Sequence, residues 1–287
     1  DLSGVTGPFA KPVPDPLVAL QAEIDALPGK VEDAKDQAAK VAAYRASINK
    51  MTSEVEDLVD LEAAERDPRL DEKVNSRLPA ILAEAARRCD AVLVHFSSTG
   101  CYGDWKETPY SESDETRPTT AHHRAKIAGE DAVRRSGAHH IILRTGWLYG
   151  GAPGQSKNFV WRRLLEARST KRMTSDASQR GCPTFVDDLV GQTLAIIDAG
   201  EEGVFNATAH GGPSRYEYVK EIVAVSGLDC EVEPGAAFAR LAPVSPNETA
   251  VNARLQRLGL DYMRSWNIAL APYVNSLMNS AEWRSSD

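Results

Sequence analysis

His122 and Lys126 stand four residues apart in the stretch TAHHRAKIAGE, residues 120–130. On a helix that spacing sets both side chains on one face. An imidazole passes protons readily near neutral pH. A neighbouring ammonium favours the uncharged ring, which still donates one N–H. The pair therefore has what a proton-transfer step needs: a group in reach of an oxygen that gains charge while its carbon is attacked. The competing expectation is a polar residue beside His123 on a helix kept for its packing.

Other reactive residue types carry less. Asp187 and Asp188 in FVDDLV are expected to cap a helix rather than bind metal. His139 and His140 open a strand and lack the spaced carboxylate or cysteine partners of a metal site. The segment KRMTSDASQRG reads as a polar loop, with Lys171, Arg172 and Arg180 as candidates for holding a phosphate. The four cysteines are scattered, with no CxxC pair, which fits reduced thiols in an intracellular or organelle-interior compartment.

The elements that must position these residues change character along the chain. After a proline-rich lead, DPLVALQAEIDAL has apolar residues at helical spacing, and a longer stripe from Val31 to Leu58 predicts one long helix over about 30–65. From Val74 the pattern becomes α/β. DAVLVHFSS, HHIILRTGWLYG and GVFNAT read as buried parallel strands, interleaved with helices at RLPAILAEAARRC, 120–136, NFVWRRLLEAR and VDDLVGQTLAIIDAG. SRYEYVKEIVAVSG reads as a helix capped by Ser214.

The bulk numbers bound the partners. A chain of 287 residues with net charge −8 can bury a sizeable core and has no basic footprint, so nucleic acid is excluded as the expected partner. No apolar run approaches the length of a membrane span, and no secretory segment opens the chain. Those two features lead to the expectation of a soluble, non-secreted protein, and Asp at residue 1 to that of a trimmed N-terminus. Residues 1–73 hold 16 acidic against 9 basic side chains. That asymmetry suggests an acidic helical arm at 1–68 and an α/β domain at 69–287, with a C-terminal lobe from about 209.

Eight segments in order along residues 62–277 carry a resemblance: ERDPRLDEKVNSRLPAILAEAA, LVHFSST, PYSESDETRP, RAKIAGE, ILRTGWLYG, NFV, GCPTFVDDLV and NARLQRLGLDYMRSW. Together they resemble the dTDP-4-dehydrorhamnose reductase family of extended short-chain dehydrogenase/reductases. SSTGCYGD is also similar to a segment of sugar-nucleotide epimerases and dehydratases. The resemblance implies a Rossmann sheet that binds NAD(P)H and reduces or oxidises a nucleotide-linked sugar. It further implies a Ser or Thr on the substrate oxygen, a tyrosine that exchanges the proton, and a lysine that assists the tyrosine and holds the nicotinamide ribose. Those positions fall on Ser98, His122 and Lys126. Arg144, Trp147 and Tyr149 match the family's strand leading into the substrate pocket, although the two aromatic residues suit a core equally well.

Two features depart from that pattern. His122 replaces the tyrosine. At the front, GVTGPFAKPVP keeps Gly7, but Ala10 and Val13 stand where later glycines belong, and Pro8 and Pro12 each remove an N–H from the expected phosphate cradle. The first three strands are expected to be replaced by helices, baring one edge of the AVLVHF strand.

The fold expected is therefore α/β: an incomplete or modified Rossmann-like parallel sheet with a small C-terminal substrate-type lobe, preceded by a helical segment containing a long helix. The leading functional expectation is a degenerate reductase-like protein without a cofactor. It would act as a binding or accessory subunit that meets a protein partner through the N-terminal helices or the modified sheet edge, with a nucleotide-sugar as a further ligand. The alternative is an active NAD(P)-dependent reductase or epimerase of a nucleotide-linked sugar using Ser98, His122 and Lys126.

Overall fold

A computed structural model of the chain describes residues 61–285, apart from 154 and 156. The glycine turn at Gly7 and the long helix proposed for 30–65 lie outside the described residues, save its last turns. Those form α1, Leu61–Arg66. Asp67 then caps α2, Pro68–Glu72, by accepting the Arg69 N–H, with Pro68 at the first position where no intrahelical donor is needed. The helix runs on through a π-helical turn, Lys73–Arg77, into α3, Leu78–Arg88. Residues 61–66 contact the α/β domain: Glu62 accepts the Leu241 N–H at 2.9 Å, and Glu65 accepts the Ala121 N–H.

Three strands form the central sheet: β1, Leu93–Ser98, β2, His140–Thr145, and β6, Gly203–Asn206. They are parallel and ordered β1-β2-β6, with Leu93 opposite His140 and Ile141 opposite Gly203. All three were legible as apolar runs. Alternation along β2 sends Ile141 and Leu143 to one face, against Leu189 and Ile196 of α6 (Val186–Asp198), Phe205, and Leu255 of α8 (Ala253–Leu258). Ile142 points to the other face, against Ala83 of α3 and Val133 of α4 (Ala121–Arg135). Covered on both sides, β2 has the continuous apolar character of a doubly packed parallel strand. Among the described residues β1 pairs only with β2, so its other edge carries no strand, and Phe96 is 43% exposed.

After β2 the chain turns through Trp147, whose φ of 44° is left-handed, into the short strand β3, Leu148–Tyr149, which pairs with β5, Thr184–Phe185. A second core follows from α5, Phe159–Ser169, α7, Arg215–Ser226, and α9, Trp266–Met278, with the short α10, Ala281–Ser285, closing it. It is largely aromatic: Tyr149, Trp161, Tyr218, Tyr273 and Trp283 are all buried. Ser214 caps α7 through a full capping box with Glu217.

Two local expectations are corrected. The stretch KRMTSDASQRG is not a loop throughout. Residues Arg172–Asp176 form β4, which pairs in parallel with β7, Glu231–Gly235. Lys171 and Arg172 face Asp229 and Glu231, and Arg180 donates to the Gly212 carbonyl, so the three cations do not converge on a phosphate site. Nor do Asp187 and Asp188 cap α6. Phe185 occupies the cap position, the two acids sit in the first turn, and Asp188 pairs with Arg264 at 2.7 Å.

Candidate functional site

α4 presents the site because its start and its middle are both fixed. Thr120 caps it by accepting the His123 N–H at 3.1 Å. Farther on, Gly129 lets the helix touch the π-helical turn: a Cβ there would lie 2.1 Å from the Asn75 carbonyl oxygen. That close approach brings α2 alongside the first turn of α4. Asp71 of α2, 1% exposed, thereby meets His122, with Nδ1 to Oδ1 at 2.8 Å. The same carboxylate oxygen accepts Asn75 Nδ2 at 2.9 Å, while its second oxygen is buried with no partner among the described residues.

Lys126 lies one turn on from His122, half-buried, and donates to the Phe96 carbonyl of β1 at 3.1 Å. Burial pushes its ammonium below the ordinary lysine value, partly offset by Cys101, Asp71 and Glu130. Ser98 ends β1 and faces His123 rather than His122: its Oγ accepts the Gly100 N–H and lies 3.3 Å from His123 Nε2. His123 is buried against Gly100, where a Cβ would come within 2.0 Å of the ring. Burial, with the positive charges of His122 and Lys126 adding to it, holds that imidazole down to about 3, so it stays neutral. Of the three residues singled out in the sequence, His122 and Lys126 thus share a face, while Ser98 sits beside it through His123.

The strand residues divide. Arg144 is not open to a ligand: it is 4% exposed and grips Glu130, 0% exposed, with two hydrogen bonds of 2.9 and 2.6 Å. Burial opposes its charge, but Glu130 more than restores it and raises the guanidinium above its ordinary value. Tyr149 lies in the aromatic core with its hydroxyl buried and unpartnered among the described residues, and burial pushes that phenol up. Trp147 is the accessible one. Its Nε1 donates to Glu248 at 2.8 Å, and the Arg215 guanidinium lies 3.8 Å from its ring centroid. Burial raises the Glu248 carboxyl, against Trp147 and Arg215, which lower it. His122 is also near enough for its charge to reach that carboxyl.

Sequence reasoning missed Asp71, His123 as the partner of Ser98, Arg215 and Glu248. Asp71 and His122 are 51 residues apart, and no local pattern links them. Among the described residues no cluster of three metal-ligating side chains occurs, and no helix is long and apolar enough to cross a membrane.

The fold is similar to that of solved dTDP-4-dehydrorhamnose reductases. The dTDP-4-dehydrorhamnose reductase of Clostridium acetobutylicum superposes with a TM-score of 0.73 at 29% identity, covering 77% of this chain and 78% of that one. The Bacillus anthracis reductase, solved in complex with NADP, gives 0.72 at 24% identity over 76% and 77%, a likeness of fold. In sequence, the dTDP-4-dehydrorhamnose reductase of Mycobacterium tuberculosis is 34% identical over 229 residues, which span 77% of this chain and 75% of the relative. The family model described as the RmlD substrate binding domain matches residues 20–279. The chain belongs to the dTDP-4-dehydrorhamnose reductase family. The match begins at residue 20, inside the segment that the sequence assigned to an added helical arm.

Proposed function

We propose that the chain is an NAD(P)-dependent reductase of a nucleotide-linked keto sugar. The observation that carries this reading is family membership over most of the chain, joined to a helix that still presents His122 and Lys126 on one face. The relatives and the described residues add no support to an accessory-subunit role.

The described residues fit the nicotinamide end of such a cofactor. Lys126 offers a half-buried ammonium engaged by the single carbonyl of Phe96, beside a sheet edge with no further strand among the described residues. When bound, a reduced nicotinamide supplies the hydride that attacks the sugar's carbonyl carbon. His122 then supplies the proton to the carbonyl oxygen, Ser98 lends its hydroxyl to the same oxygen, and Lys126 orients the ribose. Trp147, braced by Glu248 and Arg215, forms a flat wall for the sugar and nucleotide at the lobe.

The test is turnover: purified protein, NADPH or NADH, and a dTDP-linked 4-keto-6-deoxy sugar, followed by loss of the reduced-nicotinamide absorbance. Consumption that disappears in His122→Gln supports the reading. No consumption with either cofactor, together with no cofactor binding by calorimetry, overturns it.

A further inference from the structure

We propose that Asp71 is the positioning residue of an Asp–His proton relay, in which Asp71 holds Nδ1–H of His122 and leaves Nε2 to deliver the proton. This rests on the reductase reading above and specifies how an imidazole does the work of a phenol. Asp71 and His122 lie 51 positions apart in the chain, and it is the fold that brings them together.

Three observations converge. Asp71 is 1% exposed, and burying a carboxylate is costly unless a charged or strong hydrogen-bond partner repays it. Its partner is Nδ1 of His122 at 2.8 Å, and Asn75 Nδ2 at 2.9 Å fixes the orientation of the same oxygen. Gly129 and the π-helical turn provide the close helix contact that places it there. The ring's other nitrogen, Nε2, makes no hydrogen bond among the described residues, and the side chain is 21% exposed. The ring is therefore tied at one nitrogen and free at the other, the arrangement by which a carboxylate fixes an imidazole's tautomer and supports its charged form. The titratable groups around it are Asp71 on α2, His123 and Lys126 on its own helix, and Glu248 from the C-terminal lobe. His123 stays neutral, so Lys126 is the positive neighbour on the helix, and the Asp71 carboxylate is the counter-charge in direct contact with the ring.

The imidazolium carries a proton on each nitrogen. A bound reduced nicotinamide would supply the hydride for the new C–H bond, and the carbonyl π electrons would become a lone pair on oxygen. That oxygen takes the proton from Nε2, the ring is left neutral with Nδ1–H still on Asp71, and solvent returns a proton to Nε2. The sugar carbonyl is reduced to an alcohol, and the nicotinamide is oxidised.

Two measurements test this. In the free protein, ¹⁵N imidazole correlations at a pH where the ring is neutral are expected to show His122 with its proton on Nδ1, and on Nε2 once Asp71→Asn is introduced. A wild-type ring protonated on Nε2 overturns the proposal whatever the variants do. In turnover, Asp71→Asn is expected to lower kcat about 100-fold, within the range for general acid catalysis, with KM changed less than about threefold. The decisive comparison is the same substitution in a His122→Tyr background. A tyrosine needs no carboxylate behind it, so the loss there is expected to shrink to about twofold. Equal losses in both backgrounds mean that Asp71 is merely structural and overturn the relay. If the wild type turns nothing over, the reductase reading fails by itself, while the tautomer measurement still decides whether Asp71 sets the ring.

Discussion

β1 and β2 lie side by side in one sheet, both read as buried strands, and they live in different surroundings. Every residue of β2 from Ile141 to Thr145 is buried. β1 is half-covered, with Phe96 43% and the preceding Val92 50% exposed. The same apolar pattern therefore specifies a strand without specifying whether it is sealed. What separates the two is polar chemistry on the neighbouring helix. β2 receives the Glu130–Arg144 pair, wholly inside, whereas β1 receives Lys126 on its Phe96 carbonyl. Among the described residues, the buried strand anchors the core and the half-covered one adjoins Ser98 and Lys126.

Substitutions can break that contrast. The largest effect is expected for Glu130→Gln, which strands the buried Arg144 charge and should cost about 3–5 kcal/mol in urea unfolding. Leu143→Ala in β2, fully buried, should cost about 2–5 kcal/mol. Acid sharpens the comparison on the β1 side. His123, which packs beside the end of β1, sits at about 3 against an ordinary 6.5. Below pH 6.5 the unfolded chain binds a proton that the folded ring refuses. Stability is therefore lost as pH falls from about 6.5 toward 3, by about 3 kcal/mol at pH 4. Unfolding curves at pH 7 and pH 4 should show that loss, and His123→Gln should reduce it, leaving the share of His95 on β1, which burial holds down to about 4. The smallest effect is expected for Phe96→Ser on the open strand, within about 1 kcal/mol. A loss there as large as that of Leu143→Ala would mean that the β1 edge is sealed after all.

Much of this was legible beforehand, for identifiable reasons. Long apolar runs gave β1, β2 and β6, and strong local signals gave the Thr120–Ser136 helix and the Ser214 cap. β4 and β7 were not legible because both are short and charged, and their pairing across 59 residues leaves no local trace. The site was half legible. His122 and Lys126 follow from helical spacing, but Asp71 reaches His122 only through Gly129 and a π-helical turn, and neither has a distinctive sequence signal. Arg144, expected at a pocket, is held inside by Glu130 because a buried strand can carry an arginine only if a carboxylate comes with it.

The left-handed backbone at Trp147 has a consequence for watching this protein work. A bulky residue at φ 44° costs roughly 1–3 kcal/mol that glycine would avoid. The fold accepts that strain at the point where the chain leaves the central sheet for the aromatic lobe. The indole there is bonded to Glu248 and stacked by Arg215, both contributed by later parts of the chain. Any parting of sheet and lobe must therefore pull Glu248 and Arg215 away from this half-exposed ring, making its fluorescence a gauge of how tightly the two halves are shut.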